Sequence, residues 1–240
     1  MARTVVWFSC GAASFACAYI LQRHFEMPFE LVYCDTGSEH PDNRRFLAES
    51  EKFFGQSIAV IKNEKYQDHF DVCEKTRYIN GVGGARCTVE LKKVPRFRFQ
   101  QPDDVQVFGY TAEEKHRANR FGHAYPEVNA LYPLIEKNLT KKHCIGIVRA
   151  VGIEIPMMYR LGFNNNNCIG CVKGGMGYWN LVRKHFPERF NRMAAIERAV
   201  GRSCIKGVFL DELDSKRGDH GKEPVFACDF TCASVLADGL

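Results

Sequence analysis

The sequence predicts an α/β protein with a parallel sheet, and two observations carry the prediction. Strand-like and helix-like segments alternate from residue 5 to about residue 151. Three of the strand-like runs end in clusters of small or turn-forming residues before a helix begins, as strand-to-helix connections in such sheets do. Helices are expected on both faces of the sheet. Residues 1–160 are assigned to this α/β domain, and residues 161–240 to a mostly helical, cysteine-containing C-terminal region packed on it.

Val5–Phe8 reads as a short buried strand and Ser14–Arg23 as a helix. Leu31–Cys34 is a second strand, closed by Asp35-Thr36-Gly37. Pro41–Phe54 reads as a helix, with Pro41 suited to its first turn and Gly55 as its stop. Ser57–Ile61 is a third strand, and Thr88–Phe99 is helical up to Pro95 and irregular around it. Val105–Phe108 is a fourth strand, closed by Gly109-Tyr110-Thr111 and followed by a charged helix over Ala112–Phe121. Thr140 caps a helix running to about Val151, stopped by Gly152. Tyr178–Val200 reads as structural: Trp179, Val182 and Phe186 share one helical face, Phe190, Met193 and Val200 share another, Pro187 begins the second helix and Gly201 ends it.

Composition narrows the class. The chain is 240 residues long, 45% hydrophobic and 25% charged, as in an ordinary globular protein with a substantial core. A net charge of +5 leans towards anionic partners such as nucleotides or nucleic acid. The 11 cysteines are an odd number at scattered spacings, which argues for reduced thiols with a metal or sulfur role and a cytoplasmic setting. Residues 4–22 carry no charge and follow Arg3, and Ala16-Cys17-Ala18 mimics a cleavage site. Ser9, Gly11 and Ser14 break that stretch too often for a membrane span, and no membrane role is expected.

In such a sheet the ligand sits at the carboxyl ends of the strands, near the topological switch point. The runs Ser9–Ser14, Asp35–Ser38 and Gly109–Glu114 fall there. Small residues between a strand and a helix bring backbone amides close to an anion, and the helix N-terminus adds partial positive charge. Ser9, Cys10, Gly11, Ala12, Ala13 and Ser14 therefore have the makeup of a phosphate cradle, without the lysine of the Walker loop. Asp35 is a candidate for Mg²⁺ or ribose contact, or a cap for its own turn. Lys92, Lys93, Arg96 and Arg98 read as a basic stripe beside Cys87, or as a solvated helix face. Glu113, Lys115 and Arg117 close over a nucleotide or form a charged surface.

Cys168-x-x-Cys171 suits two ligands of a metal or cluster, or a buried thiol pair. Cys87, Cys228 and Cys232 are the further ligand candidates, and four cysteines serve [4Fe–4S] or Zn²⁺ equally. Cys10, before a helix N-terminus, carries a persulfide or lines the loop as a small residue.

These motifs resemble a known family. Ser9–Ser14 looks like a variant of the S-G-G-x-D-S pyrophosphate loop of the adenine-nucleotide alpha-hydrolases, whose sheet is five-stranded and Rossmann-like. Asp35-Thr36-Gly37 with Pro41 and Phe46, Cys87-Thr88-x-x-Leu91-Lys92-x-x-Pro95, and the loop Gly109, Tyr110, Thr111, Ala112, Glu113, Glu114 resemble segments of the phosphoadenosine phosphosulfate (PAPS) reductase family, in that family's order. The resemblance raises Lys92 and Glu113, with Asp35 and Cys10, to candidate catalytic residues. It places Ser9–Ser14, Asp35, Thr36, Gly109, Tyr110, Thr111 and Arg117 against the nucleotide.

The departures shape the expected activity. Cys10 replaces a glycine, Ala13 an acidic residue and Thr111 an arginine, and the reductases' C-terminal E-C-G-x-H is absent. The resemblance then implies an enzyme that splits ATP into AMP and pyrophosphate, with Mg²⁺, to activate an oxygen for replacement by sulfur. The chain is most similar to the reductase-like subunit of bacterial DNA phosphorothioation systems, a form of phage defence. A cysteine desulfurase, other DNA-modification subunits and DNA are the partners so implied. The alternatives are a thiol-dependent reductase of activated sulfate and a metal-stabilised nucleic-acid-binding module with a degenerate nucleotide site.

Overall fold

Strand β1 (Thr4–Trp7) is buried at all four positions, as its apolar run requires. In this computed structural model, which describes residues 2–25, 27–81 and 84–224, it is the centre of a five-stranded sheet. Helix α1 (Ala12–Ile20) follows, starting two residues earlier than the sequence reading and continuing as a π-helical turn over Leu21–Phe25. Next come β2 (Glu30–Asp35), α2 (Asn43–Phe54) and β3 (Ile58–Lys62). Pro41 lies in the turn before α2, where its carbonyl accepts the Arg44 amide, and Gly55 ends the helix at φ +67°.

Helix α3 (His69–Thr76) leads to a small hairpin of β4 (Asn80–Gly81) and β5 (Gly84–Ala85). The stretch expected to be irregular near Pro95 is helical throughout, as α4 (Arg86–Thr88), a π-helical turn (Val89–Lys93) and α5 (Val94–Phe99). The wide turn lets Val94 bond to Val89 O just ahead of a proline that has no amide to give. Strand β6 (Val105–Val107), α6 (Lys115–Ala124) after a 3₁₀ turn at Ala112–Glu114, β7 (Asn129–Leu131) and α7 (Pro133–Glu136) complete the sheet region. Helices α8 (Lys141–Ala150), α9 (Met157–Arg160), α10 (Met176–His185) and α11 (Pro187–Val200) follow. Thr140 caps α8 by accepting the His143 amide, and Gly152 and Gly201 adopt positive φ after α8 and α11.

The sheet order is β3-β2-β1-β6-β7, with β1 parallel to β2 and β6, and β6 parallel to β7. This is the parallel α/β architecture the sequence predicts, with its direction of winding reversed between β1 and β6.

The chain forms two compact units. The first comprises residues 1–34, 41–61 and 96–157 and holds most of the sheet. Its core includes Phe8, Phe15, Phe46 and Phe54, with Phe15 5.0 Å from Phe54 and 5.9 Å from Phe46. The run of Ala and Ser along α1 keeps that helix thin, so it packs closely on α8. Arg3 donates to both oxygens of the buried Asp104 and fixes the entry of β1.

The second unit comprises residues 35–40, 62–95 and 158–240. Residues 35–40 and 62–95, read from sequence as part of the nucleotide-binding domain, thus join the cysteine-containing C-terminal region. Its core centres on the fully buried Trp179, which meets Phe190 edge-on at 6.1 Å. Buried Glu197 accepts the amides of Cys204 and Leu210 and so closes the loop after α11. Glu223 accepts the Gly177 and Tyr178 amides at the start of α10. No helix among the described residues is long and apolar enough to cross a membrane.

Candidate functional site

The switch point places the loops after β1 and β6 side by side in the first unit. Ser9 is exposed, Cys10 is wholly buried and Gly11 is the N-cap of α1 without a side-chain hydrogen bond. A helix start with no side-chain cap directs its first-turn amides at whatever anion approaches. The two serine hydroxyls shape the loop: Ser9 Oγ donates to Ser14 Oγ at 3.3 Å, and Ser14 Oγ to Gly11 O at 3.0 Å. Cys10 sits at φ +55°, a left-handed conformation in which a non-glycine residue is strained. Its side chain is packed within the core.

Gly109 backs directly onto this loop. A Cβ built there lies 3.0 Å from Ala13 O and Ser14 Cα and 3.1 Å from Ala13 C, so any side chain would push the two loops apart by a few tenths of an ångström. Beyond it, Thr111 and Glu114 form a capping box, with the Thr111 amide donating to Glu114 Oε2 at 3.1 Å. Glu114 also pairs with Arg117, whose guanidinium lies 4.4 Å over the Tyr110 ring. Glu113 accepts the Lys141 amide at 3.3 Å. Burial pushes the Glu113 carboxyl up, but bonds from its own amide, Thr111 and Lys141 outweigh it and hold the group below its usual range. Lys141, which the sequence reading missed, is half-buried, and burial lowers its pKa against the pull of Glu114 and Glu113.

The basic stripe is broken up. Arg96 is fully buried, with the rings of Phe97, Phe121 and Tyr125 at 5.0–5.2 Å and Phe108 at 5.8 Å. Burial lowers its pKa to about 10. Lys93 is buried, Lys92 half-buried and Arg98 exposed. The π-helical turn adds a residue to the helix and rotates the later side chains off the face that a regular helix would give them.

The second unit gathers the other predicted residues. Asp35 ends β2, and its Oδ1 accepts the Gly37 amide at 2.8 Å, so in the structure it holds its own turn. Gly37 has φ +66°, and a Cβ there would lie 2.0 Å from Gln67 O. Thr36, Cys87, Lys92, Cys168 and Cys171 line one small cavity together with His69 and Lys173. Thr36 Oγ1 lies 3.3 Å from Cys168 Sγ, and Glu39 Oε1 4.0 Å from the same sulfur.

The Cys168–Cys171 turn is pinned from several sides. Tyr178 OH accepts the Gly170 and Cys171 amides and donates to Cys168 O at 2.9 Å. The Ile169 amide reaches Ser38 O, and Gly170, at φ +83°, presents its carbonyl to His69 Nε2 at 2.9 Å. Burial lowers the His69 pKa to about 4, so the ring is neutral, donating to Gly170 O and accepting from Ser38 Oγ. Cys73 is pushed up to about 12 by burial, and Cys204 well above its ordinary value by the same cause. Among the described residues no three His, Cys, Asp or Glu side chains are grouped to hold a metal ion. Cys228 and Cys232 lie outside the described residues. His69, Glu39, Lys173 and Tyr178 escaped the sequence reading because no spacing marks residues that meet only through the fold.

No family model and no curated protein matches the chain. Solved structures do. The chain superposes on phosphoadenylyl-sulfate (PAPS) reductase from Candida auris, determined as a phosphate complex, with a TM-score of 0.51 at 10% identity. The match covers 70% of this chain and 82% of that one, and shows that the two share a fold.

Proposed function

We propose that the chain is an ATP pyrophosphatase that adenylates a substrate oxygen and so prepares it for replacement by sulfur. The loop pair at the switch point carries this reading. A small-residue turn enters a helix without a side-chain cap, and Gly109 backs onto it so closely that an added methyl group would crowd its backbone. Backbone of this kind suits phosphate oxygens. The fold shared with a PAPS reductase that binds phosphate supports the same reading.

In this mechanism the substrate oxygen attacks the α-phosphorus of ATP. The bond from that phosphorus to the bridging oxygen breaks, and pyrophosphate leaves. The amides of Gly11–Ser14 hold the departing charge where it develops, and each well-placed donor of this type is worth about 10²–10³ in rate. Arg117, held in place by Glu114 and Tyr110, supplies a fixed cation, and Lys141 a second. Asp35 is assigned to Mg²⁺ or the ribose, with Mg²⁺ neutralising phosphate charge when bound. The described cysteines do not by themselves fit an iron–sulfur or zinc centre, and no step is routed through one. The proposed acceptor is DNA, in cytoplasmic phosphorothioate modification with a cysteine desulfurase and further modification subunits. The resemblance of the motifs supports that assignment.

The test is incubation with ATP and Mg²⁺, alone and with DNA, followed by product analysis. AMP with pyrophosphate is expected, and Asp35→Ala should lose turnover while keeping the fold. ADP with phosphate, or sulfite release from activated sulfate and thiol without ATP cleavage, overturns the proposal.

A further inference from the structure

We propose that helix α6 and the exposed ring of Phe97 form a binding surface for single-stranded DNA, the helix tracking the phosphates and the ring stacking on a base. The inference rests on the proposed function for the strand's role as the acceptor whose oxygen is adenylated, and it names where in the first unit that strand lies.

The charge on α6 is one-sided. Residues 115–124 hold no acid. Ala118 and Phe121 are buried, whereas His116, Asn119, Arg120 and His123 are exposed, at the i, i+3, i+4, i+7 spacing of a single helical face. Lys115 and Arg120, with Arg98 on α5, are exposed cations that have no ion-pair partner among the described residues. The two acids just ahead of the helix are already engaged, Glu114 by Arg117 and Glu113 by the Lys141 amide. A face of cations, amide and imidazoles suits the phosphate and sugar oxygens of a nucleic acid. It bears none of the large apolar side chains with which an amphipathic helix enters a membrane.

A second observation lies at the far end of the helix. Phe97 is 42% exposed, and Val60 is the only other large hydrophobic side chain so exposed among the described residues. The Phe97 ring is held in place. Tyr125, which follows the last residue of α6, lies 5.9 Å from it, and the buried Arg96 guanidinium lies 5.0 Å from its centroid. One exposed aromatic ring is ordinary on a protein surface. A fixed ring at the end of a row of unpaired cations is a stacking platform beside a backbone track, the arrangement that binds single strands. Bases in a duplex are stacked on one another and must be flipped out to reach such a ring, so the ring favours a single strand.

The other end of α6 leads to the nucleotide. The helix follows the loop Gly109–Glu114, and Gly109 stands against the phosphate cradle at Ala13 and Ser14. The ten residues of α6 span about 15 Å, room for roughly three or four phosphates of one strand. A strand held by Phe97 at one end and Lys115 at the other therefore brings a phosphodiester oxygen to the carboxyl end of the sheet, where the α-phosphorus of ATP is proposed to lie.

The experiment uses the full chain, a short fluorescein-labelled oligothymidylate and no nucleotide, with fluorescence anisotropy read over a potassium chloride series. Phosphate contacts from Arg98, Lys115 and Arg120 predict a slope of log affinity against log salt of about −2. Arg98→Gln and Arg120→Gln should each make that slope shallower by about 0.7. Lys52→Gln, the same charge change on α2 at the opposite edge of the sheet, should leave it unchanged. Phe97→Ala should weaken binding at least roughly tenfold at every salt concentration with the slope kept, and Phe97→Trp should restore the affinity. Circular dichroism checks that each variant folds, and the two arginine variants, at exposed positions, test the surface without touching the aromatic packing. No binding, an Arg120→Gln slope equal to wild type, or equal affinity in Phe97→Ala overturns the inference. So does tighter binding to duplex DNA, to oligouridylate or to anionic vesicles. Because ATP is absent, failure here leaves the pyrophosphatase reading standing, and failure of ATP cleavage leaves a positive result here untouched.

Discussion

Replacing Gly109 by alanine tests the nucleotide loop at its tightest point. The added Cβ meets three backbone atoms of Ala13 and Ser14 at 3.0–3.1 Å, whereas ordinary contacts begin near 3.4 Å. The two loops must therefore separate by about 0.4 Å, and neither neighbour is a side chain that can swing aside. Overpacking of this kind costs about 1–3 kcal/mol. The lower entropy of the unfolded chain returns about 0.4–1 kcal/mol. A net loss of about 1–2 kcal/mol follows, together with weaker ATP binding, because the displaced atoms belong to the proposed phosphate cradle. Gly146→Ala is the internal control. That glycine lies in helix α8 with nothing within 4 Å of its added Cβ, and the change should stabilise the protein by about 1 kcal/mol. Urea unfolding measures both variants, and calorimetric titration with ATP measures the site. If Gly109→Ala is as stable as wild type and binds ATP equally well, the loops are not packed as described and the cradle is misplaced.

Three further outcomes follow from the second unit. Glu197→Ala leaves the Cys204 and Leu210 amides without their buried acceptor and should cost about 2–4 kcal/mol in urea unfolding, whereas Glu197→Gln, which keeps an acceptor, should cost less. The folded-state pKa of His69 is about 4, below its ordinary 6.5, because burial disfavours the charged ring. Its contribution is whole above pH 6.5 and is lost as pH falls towards 4, about 3 kcal/mol in all; wild type should lose more stability than His69→Gln between pH 7 and 5. Tyr178→Phe removes the acceptor of the Gly170 and Cys171 amides and should cost about 2–3 kcal/mol and raise hydrogen exchange at those two amides.

The helix ends were legible because their causes are local. Thr140 can accept an amide, Gly152 and Gly201 tolerate positive φ, and Pro187 at a first turn loses nothing by lacking an amide. The phosphate-loop candidates were legible for the same reason, since a strand, small residues and a helix follow one another in sequence. Strand β7 was not, because Asn129–Leu131 is a three-residue edge strand with little apolar pattern. Arg96 was misread because a π-helical turn rotates it inward, and the aromatic rings that receive it come from distant segments. The partners of Cys168 were invisible for a different reason. Thr36 and Glu39 are more than 120 residues away in sequence, and only the fold brings them to its sulfur.

Phosphorus-31 spectroscopy of the purified chain with ATP and Mg²⁺ tests the central claim most directly. Cleavage at the α-phosphorus predicts that AMP and pyrophosphate appear in equal amounts, and that Gly11→Val, which puts a branched side chain in the cradle, abolishes both. ADP with inorganic phosphate, or ATP left intact with and without DNA, would contradict the account.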